Sequence, residues 1–185
     1  MLRRVPAVVF IALVALAPAA QAQTAQRWSL QLSALGVELT NISADNDMRF
    51  GGGVELQARF NPSALSIGFG FQTTRHTVEN SLLAREITAT YTGGFVEPRL
   101  MLGSIGDVVA FYGSVRFMSL SAKYQVGLVE EKVQGAAISG GGGLLIRITD
   151  RLNAEIGATA GKEYYNRDAR EGTTIVTRLG IAYGL

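Results

Sequence analysis

Leu65-Ser66-Ile67-Gly68-Phe69-Gly70-Phe71-Gln72 is the stretch on which the fold turns. Leu65, Ile67, Phe69 and Phe71 are large and apolar, and the residues between them are small or polar. A period of two puts the two sets on opposite faces of an extended chain, so the segment reads as a strand with one greasy and one polar side. The triplet Asn61-Pro62-Ser63 before it reads as a turn. On the far side of that turn, Phe50 to Phe60 places Val54, Leu56, Ala58 and Phe60 opposite Gly53, Glu55, Gln57 and Arg59.

The same alternation recurs in both directions. Upstream, Arg27 to about Leu39 sets Trp28, Leu30, Leu32 and Ala34 against Ser29, Gln31 and Ser33. Downstream come Ile87 to Leu102, Val108 to Leu120, Gln134 to Ile148, Leu152 to Gly161 and Thr173 to Leu185. In Ile87 to Leu102, Ile87, Ala89 and Tyr91 share a face with Val96, Leu100 and Leu102 only if one residue is inserted, which predicts a β-bulge near Gly93-Gly94. Pro98 lacks a ladder donor and is placed near the end of that strand. The stretches approach the nine to eleven residues that a tilted strand needs to cross a bilayer. The 22 glycines argue against a helical alternative.

The connections alternate in length. Asn61–Ser63, Gly103–Asp107 and Thr149–Arg151 are tight turns, whereas Thr40–Arg49, Arg75–Glu86, Ser121–Val133 and Lys162–Gly172 are longer and polar. Eight strands with short turns at one end and long loops at the other predict an all-β fold. It is a single eight-stranded antiparallel up-and-down transmembrane β-barrel, with turns and termini periplasmic.

Residues 1–22 stand apart. Arg3 and Arg4, the apolar run Val8–Leu16 and Ala20-Gln21-Ala22 have the layout of a cleaved secretory signal peptide, too short to span a bilayer as a helix. Residues 23–185 then form one barrel domain beginning at Gln23. Without Arg3 and Arg4, 15 basic residues face 15 acidic ones, and no basic run remains, so nucleic acid is not an expected partner. The absence of cysteine excludes disulfides, thiolate metal sites and lipidation at an N-terminal cysteine.

The polar face carries Glu55, Arg59, Glu97, Arg99, Arg116, Arg147, Glu155 and Arg178. In a membrane barrel these point into a narrow lumen, where isolated charges are costly and must pair. Lysine is absent from these positions, and arginine makes several directed bonds to carboxylates. The expectation is a salt-bridged plug, structural or gating. Its rivals are a narrow small-solute porin and a secreted soluble barrel with an apolar ligand inside.

Other chemistry is sparse. The single histidine, His76, falls in an expected outer loop without a nucleophile–base–acid constellation, so no catalytic residue and no enzyme activity are expected. Asp45-Asn46-Asp47 lacks the glycine and terminal glutamate of an EF-hand loop, and no metal or other cofactor is expected. Gly140–Gly143 has no following Lys-Ser or Lys-Thr and reads as a smooth strand against which aromatics pack. Trp28, Tyr91 and Tyr164-Tyr165 are candidates for interfacial girdles.

The leader, the glycine-rich alternating strands, Gly94-Phe95-Val96-Glu97-Pro98-Arg99 and the final strand resemble the small outer-membrane β-barrel family, which includes the OmpA transmembrane domain, OmpX and the opacity-type proteins. Ile175, Thr177, Leu179, Ile181, Tyr183 and Leu185 look like that family's C-terminal recognition strand, with Leu185 where an aromatic is usual. The resemblance implies a bacterial outer-membrane location. It also implies contact with membrane lipid and lipopolysaccharide, handling by the barrel assembly machinery, and an unidentified surface ligand at the loops.

Overall fold

The computed structural model describes residues 26–40, 49–80, 85–126, 129–166 and 171–185; the leader, Gln23 and Asp45-Asn46-Asp47 lie outside them. In chain order the strands are β1 (Trp28–Thr40), β2 (Arg49–Phe60), β3 (Leu65–Asn80), β4 (Arg85–Ile105), β5 (Val109–Val126), β6 (Val129–Arg147), β7 (Leu152–Tyr165) and β8 (Glu171–Gly184). Each is antiparallel to its sequence neighbours, and β8 pairs with β1 to close the sheet. At the seam the Leu185 N–H donates to the Trp28 carbonyl at 2.9 Å. Closure removes the unpaired edges that an open sheet would expose. The expected eight-stranded up-and-down barrel is the architecture found.

The tight turns form where the sequence supplies turn chemistry. The Asn61 N–H donates to the Arg27 carbonyl at 2.7 Å, and the Thr149 hydroxyl accepts from the N–H groups of Arg151 and Leu152. Gly106, at φ 57°, takes the left-handed conformation that its turn requires.

The wall has two zones. Over the turn-end zone the outward residues are apolar and open to the surroundings: Leu32 is 62% exposed, Phe117 52% and Leu179 61%. Ser29, Gln31, Ser33, Glu55 and Gln57 point inward there and are buried. Toward the loop end the polarity reverses. Thr73, Arg75, Thr90, Thr92, Ser121 and Lys123 face outward, and the interior fills with Leu35, Val37, Leu39, Tyr91, Phe95, Met118 and Leu120. The reversal occurs because β4, β5 and β6 are 21, 18 and 19 residues long, well beyond what a bilayer crossing uses. Past the apolar band the wall meets water and buries a core as a soluble barrel does.

This reversal corrects several expectations. β4 keeps a strict period of two, and its bulge lies between Met101 and Gly103, not at Gly93-Gly94. Ala89 and Tyr91 point inward with Phe95, and Tyr91 and Tyr165 are buried, so neither is a girdle residue; Trp28 and Tyr164 do face outward. Pro98 is well inside the strand. Ile67 remains opposite it on β3, while pairing with β5 stops at Val96↔Phe117 and resumes at Arg99↔Ser114 in unchanged register. One missing donor therefore interrupts the ladder without shifting it. The strands also extend into segments expected to be loop. His76 sits in β3, only 1% exposed, with its ring edge-on to Tyr91 at 5.0 Å and its Nε2 3.3 Å from the Thr74 hydroxyl.

A buried arginine–glutamate cluster as the candidate functional site

At the height of the apolar band the lumen is crossed by a cluster that five strands supply: Glu55 and Arg59 from β2, Glu97 and Arg99 from β4, Arg116 from β5, Glu155 from β7 and Arg178 from β8. Alternation puts each on the inward face, and antiparallel pairing brings the strands round to a common centre.

Glu97 is that centre. It is 0% exposed and receives four guanidinium groups. Arg59 Nη2 and Arg99 Nη2 approach Oε1 at 2.6 and 3.1 Å, and Arg116 Nη2 and Arg178 Nη2 approach Oε2 at 2.5 and 3.1 Å. Glu155 takes a two-pronged contact from Arg99 at 2.8 and 3.0 Å, and Arg178 Nη1 lies 3.1 Å away. The Tyr112 hydroxyl donates to Glu155 at 2.8 Å. Glu55 pairs with Arg116 at 2.6 Å and with Arg178 at 3.3 Å. Neutral groups complete the shell. Arg59 donates to Ser66 and Gln57 at 3.1 Å, and Arg116 donates to Gln72 at 2.9 Å. The faces of Tyr112 and Phe95 lie 3.8 Å from the guanidinium carbons of Arg99 and Arg116, a cation–π arrangement.

Side chains this large need room on the opposing walls, and glycine gives it. A Cβ on Gly157 would fall 2.4 Å from the Tyr112 hydroxyl, and one on Gly143 would fall 2.6 Å from it. A Cβ on Gly68 would meet Gln57 Nε2 at 2.3 Å and Arg59 Nη2 at 2.8 Å. Glycine in β6 and β7 thus lets the aromatic ring and its hydroxyl reach Glu155.

Seven of the eight sequence-identified charges meet in this cluster. Arg147 shares their face but is half-buried, opposite Asn153 near the turn end. Sequence reasoning missed Tyr112, Gln57, Gln72 and Phe95. Tyr112, Gln57 and Phe95 alternate in step with the charged residues of their own strands, which was the available signal, and Gln72 continues the small-residue face of Ser66, Gly68 and Gly70. Among the described residues no group of three or more His, Asp or Glu is disposed to hold a metal ion.

Above the cluster, Gln72, Arg116, Met118, His76 and Glu163 line a cavity of about 20 Å³. Below it, Ser29, Gln31, Arg59, Arg99 and Asn153 line another of about 20 Å³. Each holds about one water, and the cluster lies between them. A closed eight-stranded wall with an apolar belt outside and a charge-filled lumen inside settles the class of fold. It is the fold of the small outer-membrane β-barrels.

Comparison with solved structures bears this out. The barrel is similar to Neisserial surface protein A (NspA), with a TM-score of 0.67 at 11% identity over 85% of this chain and 97% of that one. It is similar to Ail, the attachment invasion locus protein of Yersinia pestis, in complex with the heparin analogue sucrose octasulfate, at 0.56 and 18% identity over 84% and 96%. It is also similar to OprG from Pseudomonas aeruginosa, at 0.53 and 11% identity over 88% and 97%. No protein-family model matches the sequence, and no curated protein matches it.

Proposed function

We propose that the chain is an integral protein of the bacterial outer membrane with a structural or surface-interaction role, exported through residues 1–22 and closed to free diffusion by its arginine–glutamate plug. The observation that carries this reading is the continuous outward belt of Leu, Ile, Val and Phe around the turn-end zone. Soluble monomers do not present apolar surface on that scale to water, whereas lipid accepts it. A soluble barrel holding an apolar ligand would need an apolar lumen at the same height, and here that height holds Glu97 and its four arginines.

The short turns then lie in the periplasm and the long connections outside the cell. Arg75, Thr90, Lys123 and Lys132 follow one another across the β3–β6 register just beyond the apolar band, where they meet the phosphates of lipid and lipopolysaccharide. β8, followed by Leu185, is the segment offered to the barrel assembly machinery. The loops are the surface for a partner, and the Ail complex with a heparin analogue is an instance of ligand binding on this fold. The chain is read as a non-enzyme because its sole histidine is enclosed within the loop-end core beside Thr74 and Tyr91.

Electrophoresis of outer-membrane extracts with and without boiling tests the reading, together with planar-bilayer conductance of the purified protein. The expected result is a heat-dependent mobility shift in the membrane fraction and no sustained ionic current. A steady ohmic current would restore the narrow-porin alternative, and recovery as a soluble periplasmic protein without a shift would overturn the membrane assignment.

A further inference from the structure

The plug is not balanced. Within the cluster four arginines, Arg59, Arg99, Arg116 and Arg178, face three glutamates, Glu55, Glu97 and Glu155, one positive charge in excess; the further buried lumen glutamate, Glu163, lies toward the loop end and accepts from the Tyr165 hydroxyl. The excess falls mainly on Arg59. Arg99, Arg116 and Arg178 each contact two or three carboxylates, whereas among the described residues the only carboxylate paired with Arg59 is Glu97, which three other arginines share. Arg59 lies at the turn-end side of the cluster and lines the cavity of about 20 Å³ described above, as does Arg99. Both side chains are at least nine-tenths buried, and the Nε–H of each has no hydrogen-bond partner among the described residues. The remaining walls are hydroxyl and amide groups from Ser29, Gln31, Asn61 and Asn153, with the apolar side chains of Leu145 and Ala182. Asn153 Oδ1 is also without a partner, and a half-turn of that amide presents N–H donors in its place.

We propose that this turn-end cavity is a binding site for one small monovalent anion of chloride size, held by Arg59 and Arg99 and completing the charge balance of the plug. A buried donor left unpaired and a buried charge left uncompensated both cost stability, and an anion relieves both. A water molecule relieves only the first. The cavity of roughly one water's size excludes sulfate and phosphate, and partly exposed Asn61 places its mouth at the turn end. The inference concerns the interior of the barrel and stands apart from what its outer surface binds.

Crystals of the folded barrel grown with bromide in place of chloride, measured at the bromine absorption edge, test the site directly. An anomalous peak in contact with Arg59 and Arg99 is expected; a water without anomalous signal there overturns the proposal. In solution, the midpoint temperature of the heat-dependent mobility shift should rise with chloride when gluconate holds the ionic strength constant, as ligand binding to the folded state requires. That rise should disappear in Arg59→Gln, which removes the excess charge. Equal midpoints in chloride and gluconate overturn the anion site while the mobility shift itself still reports the barrel. The bromide experiment uses the unaltered protein, so it decides the matter even if Arg59→Gln does not fold.

Discussion

Glu97 has no solvent contact and four guanidinium neighbours, so its carboxylate is the group on which the plug's electrostatics depend. Glu97→Gln keeps the shape but removes the charge, leaving four arginines facing two carboxylates. Removing one partner from a buried ionic network costs about 3–5 kcal/mol, because the remaining charges stay desolvated. Denaturant unfolding in lipid vesicles should show a destabilisation on that order, and an unchanged midpoint would mean that the arginines find their compensation elsewhere. At this scale the sequence was informative about position and silent about partners. Glu55, Arg59, Glu97, Arg99, Arg116, Glu155 and Arg178 announce themselves as charges on the small-residue face of alternating strands. That Glu97 takes four arginines and Glu155 a tyrosine depends on how strands distant in sequence are staggered round the barrel, which no local pattern encodes.

β5 carries both zones on one strand, with Phe111, Val115 and Phe117 outward in the apolar band and Ser119, Ser121 and Lys123 outward beyond it. An arginine facing lipid near the bilayer centre costs about 2–4 kcal/mol, and near an interface about 0–1 kcal/mol. Val115→Arg should therefore lower folding stability in vesicles by that larger amount and Ser121→Arg hardly at all; equal penalties would misplace the band. The element scale also shows where reading the sequence fails. Leu65–Gln72 was legible because lipid lies on one side and a polar lumen on the other. In β4 the same rule fails. Strict alternation with lipid would hold Tyr91 outward and require a bulge, whereas the strand leaves the bilayer and its apolar residues turn inward with Leu120 and Leu35. Thr88, Thr90 and Thr92 were the signal for that change, since outward threonines in alternation suit water and not hydrocarbon. His76 lies in a strand and not in a loop for the same reason: β3 continues past the point where the lipid-facing pattern ends.

The whole molecule thus joins two solutions to burial end to end. Near the turns, the polar residues are inside and the apolar ones outside; near the loops, the order is that of a soluble barrel, and one continuous wall serves both. The closure of that wall was legible from an even strand count and alternating loop lengths, while the height at which polarity reverses required the strands' full length. Placing this boundary in a membrane is the claim on which everything else rests. It is tested most directly by spin labels set one at a time at positions 109–125 of β5 in reconstituted vesicles, comparing collision with oxygen, which concentrates in lipid, and with a water-soluble nickel chelate. Labels at Phe111, Val115 and Phe117 should collide with oxygen and be shielded from nickel, those at Ser114 and Arg116 should be shielded from both, and those at Ser121 and Lys123 should be open to nickel. Nickel access at Phe111, Val115 and Phe117 would contradict the membrane barrel.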